Sequence, residues 1–224
     1  MHIIKMLAHK LKGNPAFWKY RILYNEIFKI RGKNNKVYKE KLFGKLYIYI
    51  VGNNNVLKIC QNVLAKDIPI HIRGNNNYIE IGDNVRFLGG DILCEGENNR
   101  IIIGAGTSIQ SAHINAQEEN VHITLGANCM LSEDIIIRTS DSHLIYDIVT
   151  KERINNAKSV IIGNHVWMAA RVAILKGCTI GDDSIIGVGS IVTHDIPANV
   201  IAAGIPAKVK RENVNWNKDL KGLV

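Results

Sequence analysis

The residues best suited to proton chemistry lie in one polar segment, Arg138-Thr139-Ser140-Asp141-Ser142-His143-Leu144-Ile145-Tyr146-Asp147. An imidazole exchanges protons near neutrality, around a pKa of about 6.5, so a histidine held clear of a rigid scaffold suits a general base. Asp141 stands two residues before His143, where a carboxylate either orients the imidazole or fixes the loop turn through local backbone bonds. Upstream, Ser108-Ile109-Gln110-Ser111-Ala112-His113-Ile114-Asn115 carries a second pair of polar side chains, His113 and Asn115, that suit hydrogen bonding to a polyol. His113 equally suits a structural role. The four cysteines, Cys60, Cys94, Cys129 and Cys178, include no close pair. They read as core residues of a reducing compartment rather than as disulfides or metal ligands, and no metal is expected.

The scaffold that must position these residues is written as a repeat. In steps of six from Ile162 come Met168, Ile174, Ile180, Ile186 and Val192, all apolar. The residue after each is small except at Leu175, and the residue two before the next large aliphatic is small or β-branched: Val166, Val172, Cys178, Ser184, Ser190, Ile196. A helix cannot hold a period of six on one face, whereas short strands joined at regular corners can. A fixed short period is the mark of a β-solenoid. Upstream the tetrads Gly52-Asn53-Asn54-Asn55, Gly74-Asn75-Asn76-Asn77 and Gly96-Glu97-Asn98-Asn99 recur at a longer step, in register with Ile59, Ile81, Ile103 and Leu125. That step is three hexads plus four residues, so the tetrad reads as an extra turn at one corner of successive coils, where Gly and Asn tolerate positive φ. The His143 segment interrupts this frame. A solenoid gains no packing by breaking its own repeat.

Bulk properties narrow the rest. The 224 residues carry a net charge of +8, concentrated before residue 46. There Lys5, Lys10, Lys12, Lys19, Arg21, Lys29, Arg31, Lys33, Lys36, Lys39, Lys41 and Lys45 are interleaved with Phe17, Trp18, Tyr20, Tyr24 and Phe28. Residues 1–45 are predicted to form a basic, mainly helical extension. It either covers the open end of the solenoid with a solvated face or attracts an anionic polymer or membrane surface. Residues 46–211 are predicted to be the solenoid, with a loop insertion at about 138–158, and residues 212–224 a tail. No run of about 18 apolar residues predicts a membrane span. The opening Met1-His2-Ile3-Ile4-Lys5 lacks the length and cleavage site of a secretory signal. The expectation is a cytoplasmic protein, extending to peripheral contact at the inner membrane. No nucleic-acid-binding motif is present.

The densest stretches are Ile161-Ile162-Gly163-Asn164-His165-Val166-Trp167, Ile180-Gly181-Asp182-Asp183-Ser184, Ile191-Val192-Thr193-His194-Asp195-Ile196-Pro197 and Ala202-Ala203-Gly204-Ile205-Pro206-Ala207-Lys208-Val209. With them the chain, from about residue 48 to 211, resembles the hexapeptide-repeat acyltransferases. It is similar to the galactoside and maltose acetyltransferases. The Asp141-Ser142-His143 segment and the Asn-rich corners bring it closer to the bacterial O-acetyltransferases of capsule, sialic acid and lipopolysaccharide sugars. The resemblance implies an all-β solenoid, specifically a left-handed parallel β-helix. It also implies acetyl-CoA as donor to a sugar hydroxyl of a surface polysaccharide or its precursor. Because a single triangular coil has flat outer faces with no depth for both substrates, a homotrimer with sites at subunit boundaries is expected.

Residue by residue, the resemblance puts the catalytic base at His143 and the family tryptophan at Trp167. The latter should face outward as a subunit contact or, in the reading we favour, as a wall of the site beside His143. It puts the thioester-facing backbone N–H at Ala170, and the CoA-contacting segment at Val188, Thr193, His194, Lys208 and Arg211. His194 stands where lysine is common and Lys208 where arginine is common; lysine lacks the planar fork for bidentate phosphate binding. Three other functions compete. N-acetylation of an amino sugar needs the same base. A zinc hydratase on the same scaffold needs two histidines five residues apart, which are missing here. A non-catalytic binding solenoid leaves the frame-breaking loop unexplained.

Overall fold

A computed structural model describes residues 27–220. Among them every regular element is a strand, and almost every pairing is parallel. The chain winds as a three-faced, left-handed β-helix. One face stacks short rungs such as Arg86–Phe87, Ser108–Ile109, Met130–Leu131, Trp167–Met168 and Ile185–Ile186. The second stacks Gly90–Glu97, Ala112–Glu119, Ile135–Arg138, Ala173–Ile174 and Ile191–Val192. The third runs from Lys36–Lys39 through Val56–Ile59, Tyr78–Ile81, Arg100–Ile103, His122–Leu125 and Val160–Ile162 to Thr179–Ile180. The strand Val63–Asn75 bends between the first two faces, so they form one continuous sheet. The last strand, Lys208–Glu212, closes the first face by pairing antiparallel to Val200–Ala203.

The hexad positions behave as the repeat requires. Ile162, Met168, Ile174, Ile180, Ile186 and Val192 are all buried, as are Val166, Val172, Cys178, Ser184, Ser190 and Ile196 between them. The two polar members bond to backbone: Ser184 Oγ donates to Pro197 O at 2.7 Å and Ser190 Oγ to Gly187 O at 2.6 Å. Coil length changes where the sequence says it should. Upstream contacts such as Asn54 to Asn76 join residues 22 apart, and downstream contacts such as Asn164 to Asp182 join residues 18 apart.

The four extra residues sit at the corner between the second and third faces. Gly52, Gly74 and Gly96 have φ of 128°, 111° and 114° there. A Cβ on Gly74 would lie 1.9 Å from Gly96 O on the next coil, so only glycine fits. Inside the same corner, Asn55, Asn77 and Asn99 are buried and chained to one another. Asn77 N–H donates to Asn55 Oδ1 at 3.0 Å, and Asn77 Nδ2 donates to Gly96 O at 2.9 Å. Asn99 N–H then donates to Asn77 Oδ1 at 2.9 Å. Each amide satisfies backbone groups that the corner would otherwise bury unpaired.

One expectation is corrected. Residues 27–45 are not helical. Ile27–Arg31 pairs in parallel with residues 47–51, and Lys36–Lys39 with Val56–Ile59, so the solenoid starts at least 19 residues before position 46. Alternation decides it: Val37 packs against the core between exposed Lys36 and Tyr38 neighbours. The expected helix over 1–26 lies outside the described residues. All four cysteines are buried and unpaired; burial alone pushes the Cys94 thiol up to about 12. No helix among the described residues is long and apolar enough to cross a membrane.

Two alanine substitutions separate packing from backbone strain. Gly189 also has positive φ, at 67°, yet a Cβ there meets nothing within 4 Å. Gly189→Ala should therefore cost about 1–2 kcal/mol, the left-handed penalty alone. Gly74→Ala should cost more than about 4 kcal/mol or prevent folding, since the coils cannot separate without breaking their ladder. Urea unfolding of the two variants measures the difference; equal losses would show that the corner can open.

Candidate active site

The His143 segment is an expansion of that same Gly/Asn corner. The buried amide chain ends one coil earlier, where Val121 N–H donates to Asn99 Oδ1 at 3.0 Å and no asparagine follows. On the next coil the chain leaves the second face at Arg138 and rejoins the third at Val160. The neck is closed by Lys158 N–H donating to Thr139 O at 2.9 Å. Thr139 is fully buried, its Oγ1 accepting from Gln117 N–H at 2.9 Å and donating to Gln117 O at 3.1 Å. Beyond the neck the loop doubles back on itself. Tyr146 and Arg153 form an antiparallel bridge, and Asp147 Oδ1 accepts from Val149 and Thr150 N–H at 2.7 and 2.8 Å to make the turn. The tip exposes Leu144, Ile148, Val149 and Ile154.

His143 is exposed, and among the described residues no side chain bonds its ring. Its backbone is held instead. Asn155, 6% exposed, donates from Nδ2 to His143 O at 2.7 Å and to Asp141 Oδ2 at 3.0 Å. Asp141 does not orient the imidazole. It pairs with Lys176 at 2.5 Å, and that bond, followed by the one from Asn155, holds its carboxyl below the usual carboxylate range. The carboxylate does fix the loop, but through the distant side chains of Lys176 and Asn155 rather than through the local backbone bonds expected. A second ion pair ties the loop to the coil above: Arg153 to Glu118 at 2.7 Å, with Ser140 Oγ donating to the same carboxylate. The Glu118 carboxyl is lowered in consequence, chiefly by Arg153.

The other sequence-predicted residues fall into separate groups. His113 and Asn115 lie on Ala112–Glu119, paired with Ile136 and Arg138 on the strand that feeds the loop. His113 Nδ1 bonds the Asp91 carboxylate, and Asn115 Oδ1 is buried with no partner among the described residues. Ala170 and Val188 stack at the corner between the first and second faces, Gly189 N–H donating to Ala170 O at 2.9 Å. Ala169 and Arg171 donate their N–H groups to Ile186 and Glu133, whereas the Ala170 N–H has no acceptor among the described residues. Lys208, paired with Ala203, is exposed on the first face, with Arg211 farther along the strand beside Ile201. Thr193 and His194 lie across the second face, at the loop's own corner, with Thr193 Oγ1 and His194 Nδ1 2.8 Å apart.

Trp167 faces outward as expected, but on the first face, which the His143 loop does not border. Its neighbour is Trp216, with ring centroids 5.9 Å apart. Trp216 in turn stacks on His165 at 4.1 Å and donates from Nε1 to His165 O at 2.7 Å. Within one chain, then, Trp167 is no wall for His143. Sequence reasoning passed over Trp216, Asn155, Lys176 and Glu118. An aromatic in a polar tail and an asparagine between Ile154 and Asn156 in a charged loop were the available signals. No group of His, Cys, Asp or Glu among the described residues is arranged to hold a metal.

Among the described residues a three-faced parallel solenoid carries His143 on a corner loop that leaves the repeat, and this is the fold of the left-handed β-helix acyltransferases. No family model matches the chain. Among solved structures it is similar to the polysialic-acid-specific acetyltransferase NeuO, with 37% identity over 89% of this chain and 92% of that one, at a TM-score of 0.84. It is also similar to the polysialic acid O-acetyltransferase OatWY, with 30% identity over 88% and 94% and a TM-score of 0.80. Among curated sequences it matches the polysialic acid O-acetyltransferase of Escherichia coli O1:K1 / APEC at 43% identity over 40% of this chain and 29% of that protein. The galactoside O-acetyltransferase of Escherichia coli K12 matches at 60% over 24% of this chain and 26% of that protein. The chain therefore spans under a third of each of these two curated relatives. The chain belongs to the hexapeptide-repeat acetyltransferases, beside the polysialic acid O-acetyltransferases.

The two ion pairs give the loop a pH dependence. Because the Asp141 and Glu118 carboxyls are depressed in the closed loop, pairing favours closure above the ordinary carboxylate range of about pH 4, and the advantage disappears as pH falls through the depressed values. Hydrogen-exchange protection factors for Ile145 and Ile154, whose N–H groups bond inside the loop at 2.9 Å, should drop between pH 6 and pH 3. Those of Ile174 in the core should not. Constant protection from pH 6 to pH 3 would show that the ion pairs do not hold the loop.

Proposed function

We propose that this chain transfers an acetyl group from acetyl-CoA to a sugar hydroxyl of a bacterial surface polysaccharide or its precursor, with His143 as the general base. The observation that carries the reading is the near-whole-chain likeness to two polysialic acid acetyltransferases, combined with an unpartnered imidazole on the one loop that leaves the repeat. A sugar hydroxyl is a weak nucleophile at neutral pH. In the proposed step the His143 ring nitrogen takes the hydroxyl proton as its oxygen bonds the thioester carbonyl carbon. The carbonyl oxygen becomes an oxyanion, for which the free N–H of Ala170 is a ready donor. Collapse breaks the carbon–sulfur bond, the acetyl ester remains on the sugar, and the CoA thiolate recovers the proton from the imidazolium.

The donor track follows the same logic. Lys208 and Arg211 are exposed cations suited to the CoA phosphates, and Val188, Thr193 and His194 line adjoining corners. His113 and Asn115, one rung from the loop, suit the sugar. In one chain Ala170 and His143 occupy different corners, and the described residues enclose no deep cleft holding both. We infer that a homotrimer completes each site between two chains, so that the exposed loop of one meets the Ala170 corner and Trp167 of its neighbour. No role is proposed for a metal.

His143→Ala should lower turnover by roughly 10²–10⁴ with the fold intact, the usual share of general base catalysis. The measurement is transfer from labelled acetyl-CoA across a panel of polysaccharides, polysialic acid first. Near-normal turnover in the variant would end the assignment of His143. The shared site is checked by mixing chains: His143→Ala subunits combined with subunits carrying Ala170→Pro, which lacks the N–H, should recover partial activity. A monomeric active species in sedimentation would overturn the trimer.

A further inference from the structure

We infer that Asn155, anchored by Lys176, is a positioning residue that holds the His143 backbone and so places its imidazole; this rests on the reading of His143 as the base. One primary amide spans the whole reactive segment. Asn155 Nδ2 donates to Asp141 Oδ2 at 3.0 Å and to His143 O at 2.7 Å, while Oδ1 accepts from Ile145 N–H at 2.9 Å and from Arg153 Nε–H at 3.2 Å. It therefore grips the residues two before and two after the histidine, and the histidine's own carbonyl. Both amide hydrogens and both oxygen lone pairs are used, in a side chain only 6% exposed. No other residue of the loop reaches all three points.

The amide is itself tied to the scaffold. Lys176, on the next coil at the same corner, donates from Nζ to Asn155 O at 2.8 Å and to Asp141 Oδ2 at 2.5 Å. A path of short bonds thus runs from the rigid solenoid through Lys176 and Asn155 to the backbone of His143, whose ring no described side chain holds. The clamp fixes where the His143 backbone stands, and so the region the imidazole can reach. A misplacement of about 1 Å at a reacting group can cost on the order of 10²-fold in rate.

Because Asn155 touches the base and not the donor, its loss should appear in kcat alone. Asn155→Ala should lower kcat by roughly 10- to 100-fold and leave the KM for acetyl-CoA within about twofold. Lys176→Met should act in the same direction. In a His143→Ala background, Asn155→Ala should cause no further loss, since residues acting as a unit are not additive. Activity is read with polysialic acid, or with whichever polymer of the panel is acetylated. A second readout needs no turnover: the His143 imidazole resonance in histidine-labelled protein, assigned by its absence in His143→Ala, should shift or broaden in Asn155→Ala. Unchanged kcat with an unshifted resonance would overturn the inference, as would an equal loss with and without His143. If Asn155→Ala fails to fold, Lys176→Met decides the question by the same two readouts, because Lys176 lies outside the apolar core and methionine keeps most of its length. Should His143→Ala itself stay active, the base assignment falls while the resonance still reports whether Asn155 places the ring.

Discussion

Everything in this chain hangs on how closely one coil lies over the next. Rungs are joined by backbone bonds, and at the corner between the second and third faces the coils approach until a single methyl would strike the carbonyl below. Glycine answers the steric demand there and the buried asparagines answer the electrical one, each amide taking up groups from the coils on either side. Neither answer works without the other. Without glycine the coils stand apart and the amides lose their reach; without the amides the tight corner buries unpaired carbonyls. The apolar hexads fill the interior that this spacing creates.

The candidate site uses that corner by abandoning it. Where Val121 ends the amide chain, the next coil can swing outward, and the chain's polar groups change from internal struts to external ties. Ser140 and Arg153 reach back to Glu118, while Lys176 reaches forward to Asp141. Held from both sides, the loop can carry exposed apolar residues and an unpartnered histidine without collapsing onto the scaffold. Rigidity lies in the solenoid and the proposed chemistry on the loop that leaves it, the usual division between framework and loop.

Much of this was legible in the residues. The period of six placed every buried hexad correctly, because alternation along a strand forces it, and the Gly/Asn tetrads placed the extra turn. The first coils were misread because lysines hid the alternation of Val37 with Lys36 and Tyr38. Yet Gly32-Lys33-Asn34-Asn35 is a fourth copy of the tetrad, with Gly32 at φ 116° and a Cβ that would meet Gly52 O at 1.8 Å. Asp141 was legible as a carboxylate that serves the loop, but its partners were not, since spacing along a sequence does not say which distant donors or cations fold back beside it. Trp216 and Asn155 signalled only through their residue types, and their contacts were not legible. Their partners lie 51 residues away for the one and across a hairpin for the other, and no local pattern encodes either contact.

The stacking of nearly identical coils makes length an independent variable. Each rung adds about 4.8 Å along the axis and touches only the rungs beside it. A coil duplicated or deleted among the Gly/Asn repeats would therefore change how far the lysine-bearing first described coils stand from the histidine loop, and nothing else about the loop. The upstream coils work as a ruler graduated in units of one turn, so the span between the first coils and the loop changes by whole graduations while the loop itself stays as it is.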